Sequence, residues 1–448
     1  MTGVGVTSEA AALTDAGSVT NLTSLPMNAQ VEPLSIGTPV RPDIHGRSTP
    51  STRPERRNHT PAELAEIARP GKTTVSAHHV RTQSGSSVDT LAEFSPIDDP
   101  VQPAECKNFY ENAPSPPPDQ WFKNRFNACH GSIIQVRQID RRTGLAIAGI
   151  QFKSVFLVSM AKNARSAQLT LDMSEWYDVA GNFPGSQRVT FSVGCWDPNP
   201  AGPECNPDTV SFSDTVDDWR ADSNRTVTVD FAGTSAPLPN DPVPTEKRSF
   251  YQLSPYYYLE TGIPRRNDFV PYPDFHLRCD IARTAVNPQY VRGSDCVFHE
   301  ASGIFQLSLS DTTTTESVQF LKDAFDNITS TKPGTPGTFV PGKYGTAHPL
   351  SRLYYDGPAR EANRAKSIAT CVAAYGQNYT VRPDGRTNDC DEFPFATTHQ
   401  GSYTATGNRS YAVRPLLSAH NAKVGSLLSN FVAADHILEE DTYHVLIN

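Results

Sequence analysis

Long uninterrupted apolar runs are missing from this 448-residue chain. No stretch approaches the roughly 18–20 apolar residues that a helix needs to cross a bilayer, so no membrane span is expected. A strong excess of either charge is missing too: 39 Lys and Arg stand against 48 Asp and Glu, a formal net charge of −9, with a pI near 5.7. A polyanion therefore meets no global attraction and has to be held by a local basic patch or a metal ion. Charged residues make up only 19% and hydrophobic ones 37%, and 37 Pro and 28 Gly are scattered without period, which excludes a coiled coil and a collagen-like rod. Residues 1–104 contain no Cys, Trp or Tyr and a single Phe, Phe94. Without that apolar mass the segment cannot offset its ordering entropy, and it is read as a disordered leader or linker. The first eighteen residues lack the basic and apolar regions of a secretory signal.

What is present begins with cysteine. Cys106, Cys129, Cys195, Cys205, Cys279, Cys296, Cys371 and Cys390 form an even set with no C-x-x-C pair, a pattern that favours disulfides over zinc. Sequence neighbours are 23, 10, 17 and 19 positions apart, which suits four local bridges, although eight cysteines admit many pairings. An oxidising, extracellular location is expected.

Residues 144–161, 167–173, 188–194 and 225–231 alternate apolar and polar side chains with the period of half-buried strands. In the third of these, Val189, Phe191 and Val193 point one way and Arg188, Thr190 and Ser192 the other. A β-sandwich-like domain over 105–245 follows. Trp176, Trp196 and Trp219 are read as buried rather than as a binding platform, and Tyr256, Tyr257 and Tyr258 as part of an edge strand. Residues 246–345 form a β-rich connecting region that closes in a Pro/Gly run at 331–345. Residues 346–448 differ in kind, giving a mainly β chain with an α+β C-terminal domain. A helix is expected around 360–370, an acidic loop at 389–392, a strand at 411–417, a helix capped by Ser418 with Val424, Leu427, Leu428 and Phe431 on one face, and a final strand. Acidic loop, strand and helix in this order suit a ββα metal site.

Asp391 and Glu392 lie between Cys390 and Pro394, with Asp389 just ahead. A Cys371–Cys390 bridge would close a loop worth roughly 3 kcal/mol. Two like charges held rigidly are useful when a cation or a proton transfer uses them. His420 and Asn421 open the last helix, where free N–H groups and the dipole attract phosphate; with Asp391 they are the metal candidates. Arg382, Arg386, Arg409, Arg414 and Lys423 outnumber the four anions between 382 and 423 by one. Of these, Arg386, Arg409, Arg414 and Lys423 are candidate DNA contacts, with a salt-dependent affinity. His436 and His444 are read as ordinary surface or packing residues.

The heptapeptide CDEFPFA (390–396) resembles the C-D-E-[WYF]-P-x-A signature of the NucA/NucB deoxyribonuclease family. HPLSRL (348–353) and EANRAKSIATC (361–371) before it, and HQGS (399–402), SAHN (418–421), GSLLSNF (425–431) and HILEEDTYHVLI (436–447) after it, follow the order of that family's motifs. The likeness is to secreted actinobacterial members, covers about 275–448, and includes the preceding cysteine pair in RCDIA and DCVF. It implies a ββα-metal endonuclease that cuts DNA with Mg²⁺ or Mn²⁺. By the same resemblance, Asp391 is the general base, Glu392 a supporting acid, Asn421 a site or metal residue, and Arg409 or Arg414 a phosphate contact. DNA is the implied substrate of a monomeric chain, with an immunity protein as partner if it acts as a toxin. Three positions depart from the family: His420 replaces an acid, which biases the site toward Mn²⁺, Ni²⁺ or Zn²⁺; Ser402 replaces a glycine; and Phe431 stands where some members carry an acid. Two other readings are a catalytically inactive nuclease fold that binds DNA or sits at the cell surface, and a polysaccharide-binding protein led by the β domain.

Overall fold

Period-two patterning gives each strand of the N-terminal part a dry face, and one antiparallel sheet that curls on itself buries all of those faces together. The computed structural model describes residues 9–13, 18–29, 60, 62, 63, 66, 73–74 and 99–448, the last range without 141, 199–203, 232–243, 260–268 and 288. The strands are β1 (Glu9–Leu13), β2 (Ser18–Pro26), β3 (Thr73–Thr74), β4 (Trp121–Asn124), β5 (Asn127–Asp140), β6 (Ala146–Met160) and β7 (Ser166–Ala180). There follow β8 (Arg188–Trp196), β9 (Glu204–Thr215), β10 (Asn224–Phe231), β11 (Ser249–Leu259), β12 (Phe269–Pro271), β13 (Phe275–Cys279) and β14 (Cys296–Val297). Hydrogen-bonded neighbours run β1-β2-β5-β6-β7-β10-β9-β8-β11-β13-β14, with β4 on β5 and β12 on β11.

Three strands separate β6 from β8 in this order, yet Phe156 of β6 meets Phe191 of β8 at 5.2 Å and Phe275 of β13 at 5.6 Å between ring centroids. The sandwich-like packing is thus one continuous sheet rolled until its inner faces touch. Trp219 is fully buried and donates Nε1–H to the Val189 carbonyl at 3.1 Å, while Trp176 stacks on Phe152. The expected edge position of Tyr256–Tyr258 is corrected: β11 bonds β8 on one side and β12 and β13 on the other, so these tyrosines sit inside the sheet. Within 1–104, β1 and β2 extend one side of the sheet; most of the remainder of the expected leader lies outside the described residues. All four bridges join sequence neighbours: Cys106–Cys129, Cys195–Cys205, Cys279–Cys296 and Cys371–Cys390.

The C-terminal unit follows without a break. β15 (Ala301–Leu307) runs parallel to β19 (Thr442–Ile447), with the two-residue β16 (Leu350–Ser351) beyond it and β3 on the other edge. Three longer helices surround a ribbon of β17 (Asn388–Phe393) and β18 (Ala412–Leu417). In chain order of their introduction they are α1 (Thr315–Asp326), α2 (Gly357–Tyr375) and α3 (Ser418–Ala434). Val318, Phe320 and Leu321 of α1, Phe393 of β17, Leu416 of β18, and Val424, Leu428 and Phe431 of α3 share one core with β15 and β19. Phe431 stacks on Phe305 at 5.3 Å and lies so close to Gly303 that a Cβ there would meet its ring at 2.9 Å. It is a packing residue.

The two units are joined by buried charge. Asp441 accepts hydrogen bonds from Arg125 at 2.7 Å and from Arg278 at 2.6 and 3.0 Å, all three side chains being almost inaccessible. Beside this triad, His436 bonds Asp280 at 2.9 Å, and Tyr290 donates its hydroxyl to Glu246 at 2.7 Å. His436 and His444 are accordingly buried packing residues.

Candidate functional site

An extended strand sends successive side chains to opposite faces, and this rule decides the fate of the acidic pair. β17 is a strand where a loop was expected. Cys390 is bonded to Cys371 of α2, so Cys390 and Glu392 face α2, whereas Asp391 and Phe393 face α1, where Phe393 packs edge-on against Phe325 at 5.0 Å. The structure therefore separates the adjacent carboxylates onto two faces of the ribbon. On the α2 side Glu392 lies in the field of Arg364; burial still raises its carboxyl to about 7.

Asp391 is 7% exposed. Burial first, and the neighbouring Glu392 charge second, push its carboxyl up to about 7, against the Ser317 hydroxyl, which favours the ionised form. Ser317, in the first turn of α1, is fully buried, and its hydroxyl is the group that favours the ionised Asp391. A near-dry carboxyl with a single hydroxyl to support its charge is costly to ionise and is an arrangement found where proton transfer or ion binding occurs.

The residue before Ser317 binds the start of α3. The Glu316 main-chain N–H donates to His420 Nδ1 at 3.3 Å, and the Leu417 N–H donates to the Glu316 carboxylate at 2.9 Å. Each helix thus satisfies an orphan amide of the other. Ser418 does not cap α3 as expected: Leu417 is the N-cap residue and makes no side-chain cap, and the Ser418 hydroxyl donates to the Thr387 carbonyl instead. Arg382 holds Glu316 with two bonds of 3.1 Å. Burial works against the charge of Glu316, but the Leu417 N–H and Arg382 outweigh it and keep the carboxyl below its ordinary value.

Asp391 and His420 therefore address consecutive residues of one helical turn, Ser317 and Glu316. Asn421 stands one turn before the buried Val424 on the inner stripe of α3. The candidate basic contacts divide. Lys423 and Arg386 are exposed, the latter bonded to Asp384 at 2.6 Å. Arg414 is tied to Asp323 at 2.8 Å and Arg409 to the Thr404 carbonyl, so both are engaged within the fold. Glu316 and Ser317 were missed from sequence, although a Thr run followed by Glu316 and then by Val318, Leu321 and Phe325 at helical spacing marks a helix start.

Among the described residues no group of three or more His, Cys, Asp or Glu side chains is gathered to hold a metal ion, and no helix is long and apolar enough to cross a membrane. The two sequence-predicted oxygen donors, the buried Asp391 carboxylate and the Asn421 amide at the start of α3, are of the type that Mg²⁺ and Mn²⁺ take.

Residues 343–446 match the model of the family described as deoxyribonuclease NucA/NucB, so the C-terminal part carries a NucA/NucB-type deoxyribonuclease domain. No curated protein and no solved structure matches the chain.

Proposed function

We propose that the chain is a secreted, divalent-ion-dependent endodeoxyribonuclease whose site lies where Asp391 meets the first turns of α1 and α3. The observation that carries this reading is the buried Asp391 carboxyl, raised to about 7 inside the family-matching segment. An ordinary aspartate is a weak base, but one raised toward neutrality is matched to taking a proton from water near pH 7. Asp391 and Asn421 are the residues that would hold the ion, which when bound supplies charge neutralisation at the phosphate and acidification of water. The chain's own residues do the rest. Asp391 takes the proton of the attacking water, Ser317 stabilises the ionised carboxylate, and the α3 N-terminus with Lys423 and Arg386 attracts the backbone. Four disulfides fit an extracellular location.

The test uses the full chain and supercoiled plasmid. Nicked and then linear DNA should accumulate with Mg²⁺ or Mn²⁺ and stop in excess chelator. Retarded but uncut plasmid with every divalent ion would instead support the inactive, DNA-binding reading, which the replacement of an acid by His420 favours.

A further inference from the structure

A large ring stands in solvent on a backbone that is pinned around it. Tyr403 is 66% exposed and belongs to the single turn Ser402–Thr404, between the two strands of the ribbon. Asn363, buried in α2, accepts the Tyr403 N–H on Oδ1 at 3.0 Å and donates to the Ala396 and Thr398 carbonyls at 3.0 and 3.3 Å. The Ser402 hydroxyl donates to the Asn363 carbonyl at 2.7 Å. A Cβ on Gly401 would meet the Asn363 amide at 2.3 Å, so the turn seats on α2 only with glycine there. A ring carried on such a turn loses little freedom when a partner covers it. Further rings share this surface. The Thr404 hydroxyl donates to the His399 carbonyl at 2.7 Å, and the half-exposed His399 ring is held on Glu439 at 2.9 Å. The other Glu439 oxygen accepts the main-chain N–H of Tyr355 at 3.1 Å, and the Tyr355 side chain is 41% exposed. Cations accompany the rings. Arg409 gives one guanidinium nitrogen to the Thr404 carbonyl, and its other side-chain N–H groups have no partner among the described residues. Arg364 follows Asn363 and is exposed, while Arg360 lies over the Tyr354 ring at 5.9 Å. Of the nearby acids, Asp356 caps α2 at the Ala359 N–H, Glu361 pairs with Arg364, and Glu440 is exposed. Aromatic faces interleaved with guanidinium groups suit a strand whose bases are free to stack while its phosphates meet positive charge.

We infer that the Ser402–Thr404 turn is a platform for single-stranded DNA, on which Tyr403 stacks against an unpaired base while Arg409 and Arg364 take the adjoining phosphates. This rests on the nuclease reading above and names the form of its substrate: DNA that is single-stranded, or locally unpaired, where it meets this turn. A paired duplex keeps its base faces inside its own stack and has none to offer the ring.

The experiment compares the full-length chain with Tyr403→Ala and Tyr403→Phe in excess chelator, so that nothing is cut, once melting curves show wild-type midpoints. Fluorescence anisotropy reads the affinity for a labelled oligothymidylate and for a labelled duplex of equal length. The inference expects oligothymidylate binding about five- to a hundredfold weaker in Tyr403→Ala, the worth of one base–aromatic stack. It expects Tyr403→Phe, which keeps the ring, to stay within about twofold of the wild type, and duplex binding to stay within about twofold in all three proteins. It is overturned by an unchanged oligothymidylate affinity in Tyr403→Ala, by equal losses on single strand and duplex, or by a Tyr403→Phe protein as weak as Tyr403→Ala. Binding of a chito-oligosaccharide that Tyr403→Ala loses, with DNA affinity intact, would give the ring to a sugar and overturn it as well. Absence of nicking by the wild-type chain with any divalent ion would defeat the nuclease reading alone, because the anisotropy series still decides what Tyr403 does.

Discussion

Asp391→Asn is expected to reduce plasmid nicking by about 10²- to 10⁴-fold, the usual contribution of a positioned general base, without lowering the melting temperature. The substitution is nearly isosteric, and the cost it removes is the cost of ionising a carboxyl that is 7% exposed and lies against the Glu392 charge. Among the described residues Asp391 has no ion pair to lose: Arg414, cross-strand from it in the β17–β18 register, is bonded to Asp323. Nicking rates from initial velocities, with thermal melts on the same samples, decide the matter. A variant that nicks at the wild-type rate removes Asp391 as the base. Glu392→Gln is the natural control because its side chain faces α2, on the other side of the ribbon.

Asp441→Ala is expected to destabilise the whole molecule by about 3–5 kcal/mol, the cost of breaking a buried ion pair by deleting one partner. Arg125 enters from the β4–β5 turn and Arg278 from β13, and both end on the Asp441 carboxylate, directly before β19. Deleting it leaves two guanidinium groups in a dry interface. Those two cations hold the Asp441 carboxyl far below the usual range despite its complete burial, so the triad persists well into acid. Urea unfolding followed by circular dichroism measures the loss; an unchanged midpoint would show that the interface does not depend on these charges.

The strands legible in the sequence were those whose apolar and polar residues alternate. The 188–194 and 225–231 segments lie within β8 and β10, and the four bridges that form are the local ones that the cysteine spacing suits, among many pairings it left open. The last strand-and-helix pair was legible too, from Val424, Leu428 and Phe431 at helical spacing. What periodicity did not carry was the way strands from both halves of the N-terminal part join one sheet, because closure is set by contacts such as Phe156 with Phe275, far apart in the chain. The buried charges were equally hidden, since Arg125, Arg278 and Asp441 are indistinguishable by type from surface residues. At the site, the motif located Asp391 but not its surroundings. Glu316 and Ser317 stand more than seventy positions earlier, and the separation of Asp391 from Glu392 depends on β17 being a strand. Reading 389–392 as a loop concealed that alternation.

The central claim, that the buried Asp391 carboxyl is where the cation and the phosphodiester meet, is tested most directly by titrating Mn²⁺ into the full-length wild type and Asp391→Asn at pH 5.5 and 8.5. A carboxyl that stays protonated until about 7 must lose its proton to bind an ion, so affinity should be weak at the lower pH and rise at the higher one. The account predicts one site in the wild type with that pH dependence and none in Asp391→Asn. Equal Mn²⁺ binding by the two proteins at pH 8.5 would contradict it.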